Sequence, residues 1–449
     1  MTGKELLLRT LRHERLPAVP WVPFAGVHAG KLKGYSAIKV LTNGDKLYES
    51  LLAVNQTYVP DGQPIVFDLQ IEAEILGCEL HWAENAPPSV ISYPLAADLS
   101  VPDRLPEATD GRLPMVLAVM RRMKAAVGGH TALYGLICGP FTLASHLRGT
   151  EIFMDMFYNE AFLHHLLAYT AAVNKRMADL YLEAGMDVIA VVDPLVSQIS
   201  SRHFEQFLLA PFAGVFEHIR TQGGLSAFFV CGDATRNIEV MCHTGPDAIS
   251  VDENIDMATA KLITDQHNIA LCGNIPLTTR MLLGSQLDNM QYVIDLLDAL
   301  DHHNLVISPG CDMPYDVPPE NVIGVMQAIR EPETARKMLA NYQSAAFDLD
   351  VELPDYATLS KPLMEVFTLD SATCPACGYM LNAAVRATRE LAGQVEMVEY
   401  KITERENVAR ATKMGIRNLP CILINGNLEF SSIIPSNEEL IARIRRYIK

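Results

Sequence analysis

Along residues 1–330, short continuous apolar runs alternate with longer amphipathic stretches. The apolar runs are Trp21–Ala25, Pro64–Asp68, Thr131–Cys138, Asp187–Asp193, Ala227–Cys231, Ala248–Val251, Ile269–Cys272 and Leu305–Ser308. Each is strand-length, and most lack polar alternation, which is the pattern of strands covered on both faces. Between them, Met115–Ala126, Phe162–Glu183, Phe204–Gln222, Met257–Asp265 and Met290–Leu300 repeat apolar positions at helical spacing. Strand and helix in alternation imply parallel strands joined by crossover helices. About eight such units predict an α/β fold of the (β/α)8 TIM-barrel type. An open doubly wound sheet is the rival, but no G-x-G-x-x-G follows the first strand. Residues 334–345 are expected as a last helix, and 346–362, acidic and Pro-containing without a clear period, as a linker.

The pattern starts afresh at 363. Met364–Leu369 reads as a strand, a helix runs from Cys374 to about Leu391, and Val395–Ile402 is a second strand. Glu406–Met414 is a helix with Gly415 as its stop, Leu419–Ile424 and Leu428–Ser431 are strands, and Glu438–Ile448 is a final helix. Asn425-Gly426 between the last two strands is a type I′ turn signal. The expected division is thus a barrel over 1–345, a linker, and a small βαβαββα domain over 363–449.

Composition narrows the function. Half of the chain is apolar (49%), which excludes global disorder. Lys and Arg number 36 against 53 Asp and Glu, a net charge of −17. That balance argues against nucleic-acid partners and against anionic membrane surfaces. No apolar run approaches the ~18–20 residues of a membrane span, and the N-terminus does not read as a signal peptide. Nine sparsely placed cysteines are cytosolic usage, so a cytoplasmic location is expected.

Nearly every predicted barrel strand ends in chemistry-bearing residues. These are His28; Asp68 with Glu72 and Glu74; Cys138; Asp193; Cys231-Gly232-Asp233; Asp252-Glu253; Cys272-Gly273-Asn274; and Gly310-Cys311-Asp312. In a barrel such C-terminal strand ends converge at one mouth, where active sites sit. Cys138 stays undecided, Cys78 and Cys272 read as core, and Cys242 with His243 as packing or surface residues. In the small domain, Cys374-Pro375-Ala376-Cys377 between strand and helix reads as a redox pair, because a thiol at a helix N-terminus is stabilised as thiolate.

Several stretches resemble the uroporphyrinogen decarboxylase superfamily. They are 67–78, Gly139–Ala144, Val192-Asp193-Pro194 with Ile199–Pro211, Cys231-Gly232-Asp233, Ile249–Glu253, Gly273-Asn274-Ile275 and Ser308–Asp312. The resemblance implies the barrel and two functional classes. One is the porphyrinogen decarboxylases, whose N-terminal arginines hold substrate carboxylates; Trp21–Gly30 contains no Arg. The other is the zinc-dependent corrinoid methyltransferases, such as methylcobamide:coenzyme M methyltransferase, which the Glu-Ala-Glu and Pro-Gly-Cys-Asp stretches resemble better. On that resemblance Cys231 and Cys311 are zinc ligands, while Phe229 stands where a histidine ligand is expected. Glu253, 22 residues after Cys231, is the replacement ligand, as in the chemically similar cobalamin-independent methionine synthases. His28 is the weaker substitute.

The implied reaction moves a methyl group from a methylated corrinoid, on a partner protein or free, to a small thiol or a pterin. Asp68, Glu72 and Asp193 are expected to shape the acceptor pocket or orient ligands. Barrels of this family often pair as homodimers. The alternatives are a decarboxylase-type lyase, with Asp68 where its catalytic Asp is expected, and a metal-free corrinoid-protein partner or redox adaptor. Residues 363–449 resemble the thioredoxin family through Thr373–Cys377 and Ile416–Pro420. That resemblance implies a cis Pro420 beside the Cys374/Cys377 pair. Because two thiolates beside zinc are oxidisable, the pair is expected to keep the site or its thiol substrate reduced, with sensing of redox state as the alternative.

Overall fold

The computed structural model describes the chain except residues 344–348, 350, 370, 372–374, 417 and 449. Two compact units result, one of Met1–Val196 and Ser200–Tyr342, the other built on Gln343–Lys449.

In the first unit, seven parallel strands lie side by side in chain order: β1 (Gly62–Pro64), β2 (Ala132–Cys138), β3 (Val188–Val192), β4 (Leu225–Phe229), β5 (Ala248–Ser250), β6 (Ala270–Ile275) and β7 (Leu305–Pro309). Every position of β2, β3, β5, β6 and β7 is buried, as their unbroken apolar sequences require. The eighth stave is the segment around Trp21. The Val22 amide donates to the Ile307 carbonyl (3.0 Å) and the Ile307 amide to Pro20 (3.0 Å), while on the other side the Asp61 amide donates to Trp21 (2.9 Å). Residues 20–22 therefore close the gap between β7 and β1, and the sheet is a barrel. The predicted strand Trp21–Ala25 shrinks to this single bridge because Pro20 and Pro23 have no N–H to give to a ladder.

Crossover helices return the chain between strands, among them Glu160–Glu183, Leu209–Thr221, Met257–Gln266, Gln286–Ala299 and Pro319–Arg330. Several boundaries differ from expectation: the predicted strand Pro64–Asp68 is Gly62–Pro64, and Ala227–Cys231 is Leu225–Phe229, ending two residues before Cys231. The predicted helix from Phe204 begins as a π-helical turn, Phe204–Leu208, and the predicted last helix over 334–345 is Pro332–Leu339, started by a proline in its first turn.

The second unit follows the expected order of elements. Its sheet reads β9-β8-β10-β11, with β8 (Leu363–Thr368) parallel to β9 (Glu396–Lys401) and antiparallel to β10 (Cys421–Ile424), which pairs with β11 (Asn427–Ser431). Helices Pro375–Glu390 and Asn437–Arg445 bury Met380, Ala383, Ala384, Leu440 and Ile444 against Met364, Val366, Ile422 and Ile424. Asn425 and Gly426 take φ of 49° and 74°, the left-handed pair that a type I′ turn demands. The Leu419–Pro420 peptide is cis.

Candidate functional site

Cys231 follows the end of β4 and Cys311 the end of β7, at the C-terminal mouth of the barrel. Their Cα atoms are 6.1 Å apart across 80 residues of sequence, and their sulfurs meet as a disulfide. Two neighbouring loops hold this meeting in place. The buried Asp252 carboxylate accepts the Gly232 amide, tying the residue after Cys231 to the end of β5. Gly310 packs against the same loop: a Cβ there would lie 2.7 Å from the Glu253 amide nitrogen, so only glycine lets the Cys311 turn sit this close. The Asp252-Glu253 loop thus touches the chain next to both cysteines, through the Asp252 carboxylate on one side and the Glu253 backbone on the other.

Glu253 is half-buried, and desolvation with the adjacent Asp252 charge pushes its carboxyl up to about 8. One oxygen accepts the Leu277 amide; the other has no hydrogen bond among the described residues. Asp312, the neighbour of Cys311, is half-buried; desolvation holds its carboxyl well above its ordinary value, and it accepts the Gly26 amide at 2.7 Å.

The pocket wall before β2 carries a second group. Asp68 lies past the end of β1 in a turn, its Oδ1 accepting the Gln70 amide (2.9 Å) and its Oδ2 the Arg112 guanidinium (2.6 Å). Arg112 also binds Glu74 (2.7 Å) and lies under the Trp82 ring, 5.0 Å from its centroid. Its remaining Nη2 is buried without a partner, as is Gln70 Oε1. Glu72, on the short helix Ile71–Ile75, is fully buried, and desolvation pushes its carboxyl up to about 8. Its Oε1 accepts the Cys138 amide at 3.0 Å. At neutral pH Glu72 is therefore mostly a protonated acid, able to donate a hydrogen bond where Asp68 accepts one.

Asp193 has a different task from Asp68 and Glu72. Its carboxylate accepts the Phe141 amide (2.8 Å), the Thr142 amide (3.2 Å) and the Thr142 hydroxyl (2.6 Å), so it caps helix Pro140–Arg148. Burial still lifts it to about 6.

His28 does not serve as a ligand here. Its Nδ1 lies 3.1 Å from the Tyr315 carbonyl and its Nε2 2.7 Å from the Tyr58 hydroxyl, so both ring nitrogens are engaged, and burial lowers its pKa to about 4. Phe229 packs against Phe24 and Phe67 with ring centroids 4.7 and 5.7 Å away, so the place of a histidine is part of an aromatic plug. Cys138 is a buried thiol raised far above its ordinary range, with Sγ 3.9 Å from His146 Nδ1. Of the redox pair, Cys374 lies outside the described residues; Cys377 is buried in helix Pro375–Glu390, and Pro420 is the cis proline. Sequence reasoning missed Arg112, which is 44 residues from its partner Asp68 and has no local signal; Asp312 was singled out at its strand end, but without its bond to Gly26.

Comparison with known proteins fits this geometry. The uroporphyrinogen decarboxylase (URO-D) family profile matches residues 2–332. Methylcobamide:CoM methyltransferase MtbA of Methanosarcina acetivorans is 26% identical over 330 residues, covering 72% of this chain and 95% of the relative. A uroporphyrinogen decarboxylase of Nostoc punctiforme is 24% identical over 285 residues, covering 62% of this chain and 79% of its own. Among solved structures, a methyltransferase from Methanosarcina mazei superposes with a TM-score of 0.69 at 24% identity, over 74% of this chain and 99% of that one, which establishes the fold. With about three-quarters of its length inside the match, the chain belongs to the uroporphyrinogen decarboxylase family.

Proposed function

We propose that this protein is a corrinoid-dependent methyltransferase that moves a methyl group from a methylated corrinoid to a small thiol, with a fused dithiol module. The observation that carries the reading is the meeting of Cys231 and Cys311 at the barrel mouth beside the Glu253 loop. The names of relatives such as the methylcobamide:CoM methyltransferase support the same class.

The donor set fits zinc in one redox state only. As a disulfide the pair has no thiolate to give. Reduced, it would offer two sulfurs; the Glu253 carboxylate, held by the Leu277 amide, is not gathered with both sulfurs, so it would have to turn toward them to make a third protein ligand and leave one position open. Zinc bound there would supply the Lewis acidity that keeps an incoming thiol deprotonated at neutral pH. The chain's own residues do the rest. Cys231 and Cys311 would hold the ion, and the Leu277 amide positions the Glu253 carboxylate. Asp68, fixed by Arg112, and the protonated Glu72 bind the polar part of the acceptor. Phe24, Phe67 and Phe229 keep the floor of the pocket dry. The acceptor sulfur takes the methyl group, and the corrinoid leaves with the bonding electron pair.

The second unit is read as a thioredoxin-like module, on its sheet order, its cis Pro420 and the Cys374/Cys377 spacing. Its dithiol reduces the Cys231–Cys311 disulfide by exchange, two thiols becoming a disulfide as the mouth pair becomes two thiols.

The test is loss of methylcobalamin absorbance by the reduced, zinc-loaded protein with a panel of small thiols. Thiol-dependent demethylation that disappears in Cys311→Ser supports the reading. Uroporphyrinogen turnover with methylcobalamin untouched, or demethylation indifferent to Cys231→Ser and Cys311→Ser, overturns it.

A further inference from the structure

We propose that Glu239, His243 and His267 form a second metal site, for a borderline divalent transition ion such as Zn2+, Ni2+ or Co2+, at the end of the barrel opposite the mouth. One ligand atom from each lies within 4.8 Å of the other two, the only such group of His, Cys, Asp or Glu found among the described residues.

Chain geometry brings the three together. Glu239 sits on helix Ile238–Cys242 and His243 is the cap residue after it, four positions on, so both occupy one face. His267 is the cap residue of the next crossover helix, Met257–Gln266. Crossover helices run antiparallel to the strands they join, so both helix ends lie beside the N-terminal ends of β5 and β6. This is the end of a barrel associated with stability rather than catalysis.

The donors are arranged around a shared point. Glu239 Oε1 lies 2.8 Å from His267 Nε2 and 3.5 Å from His243 Nε2. The two imidazole rings meet edge to face with centroids 5.3 Å apart and make no hydrogen bond to each other. Metal bonds of about 2.0–2.1 Å in a tetrahedron set donor atoms roughly 3.3–3.4 Å apart. The two observed contacts bracket that spacing, so small side-chain rotations admit an ion. Two imidazoles and one carboxylate suit Zn2+, Ni2+ or Co2+ and suit Mg2+ or Ca2+ poorly. All three side chains reach solvent, at 49%, 46% and 26% exposure, so water completes the coordination. Cys242, one position before His243, is buried and is not part of the group. An ion there ties two neighbouring crossover helices together.

The experiment uses the full chain carrying Cys231→Ser and Cys311→Ser, so that its outcome is independent of the mouth. Calorimetric titration with Zn2+ and with Ni2+ is expected to show one equivalent that raises the thermal midpoint. His243→Ala and His267→Ala are each expected to weaken that equivalent by more than about tenfold, because even groups that merely support a metal ligand are worth that much. Circular dichroism and the metal-free midpoint, compared with His243→Gln and His267→Gln, show that the variants are folded. Titrations in which folded His243 and His267 variants bind as tightly as the parent, or in which the parent takes up neither ion, overturn the proposal.

Discussion

Replacing Glu72 by Gln is expected to stabilise the barrel, and increasingly so as pH rises. The folded state holds the Glu72 proton up to about pH 8, whereas the unfolded chain releases it near its ordinary value of 4.5. Between those two values each pH unit favours the unfolded state by about 1.4 kcal/mol. The parent therefore has its full stability below pH 4.5 and loses it progressively up to pH 8. Across the window the loss approaches about 5 kcal/mol, and at pH 7 about 3 kcal/mol, as upper limits. Gln has no proton to release, and its side-chain oxygen still accepts the Cys138 amide, which now lies 3.0 Å from Glu72. Variant and parent should match at pH 4 and diverge by several kcal/mol at pH 8. Urea unfolding followed by tryptophan fluorescence isolates the barrel, because both tryptophans, Trp21 and Trp82, belong to it. A gap between variant and parent that is the same at pH 5 and pH 8 refutes the reasoning. A carboxyl that costs this much stability is in keeping with the proposed place of Glu72 at the acceptor.

Arg112→Met leaves Asp68 and Glu74 without their cation. With Asp68 fully buried, the barrel should lose about 3–5 kcal/mol in denaturant unfolding, and Asp68→Asn in the same chain should recover part of it. Asp193→Ala removes the cap of helix Pro140–Arg148 and leaves the Phe141 and Thr142 amides buried and unpaired. A loss of about 2–3 kcal/mol is expected, and an unchanged urea midpoint would contradict the capping role. Cys374→Ser with Cys377→Ser should leave methyl transfer intact under strong reductant and depress it in mild oxidant; equal activity in both conditions removes the proposed reductive role.

Much of the barrel was legible because its strands are covered on both faces and so appear as unbroken apolar runs. β2 through β7 lie where those runs predict. The first stave was misjudged in length because apolar residues were counted without asking which could donate, and Pro20 and Pro23 cannot. Asp68 was placed at a strand end but lies four residues past β1, in a turn closed by its own carboxylate. The approach of Cys231 to Cys311 was legible as a consequence of barrel closure, since both follow strand ends that must converge. What local pattern cannot show is which buried carboxylate finds which cation. Arg112 reaches Asp68 across 44 residues, and Asp193 looked like a pocket residue because nothing in Val192-Asp193-Pro194 reveals that it caps a helix one crossover earlier. His28 was read from position alone, while its neutrality follows from burial and its ring nitrogens are taken up by Tyr58 and Tyr315, remote in sequence. Likewise His243 gains its meaning from His267, 24 residues on.

Zinc K-edge absorption on the reduced full chain tests the central claim most directly, with His267→Ala present to silence the outer site. The account predicts two sulfur scatterers at about 2.3 Å together with oxygen or nitrogen near 2.0–2.2 Å, and loss of one sulfur in Cys311→Ser. Zinc surrounded only by nitrogen and oxygen, or a sulfur shell unchanged when Cys231 and Cys311 are replaced, would contradict it.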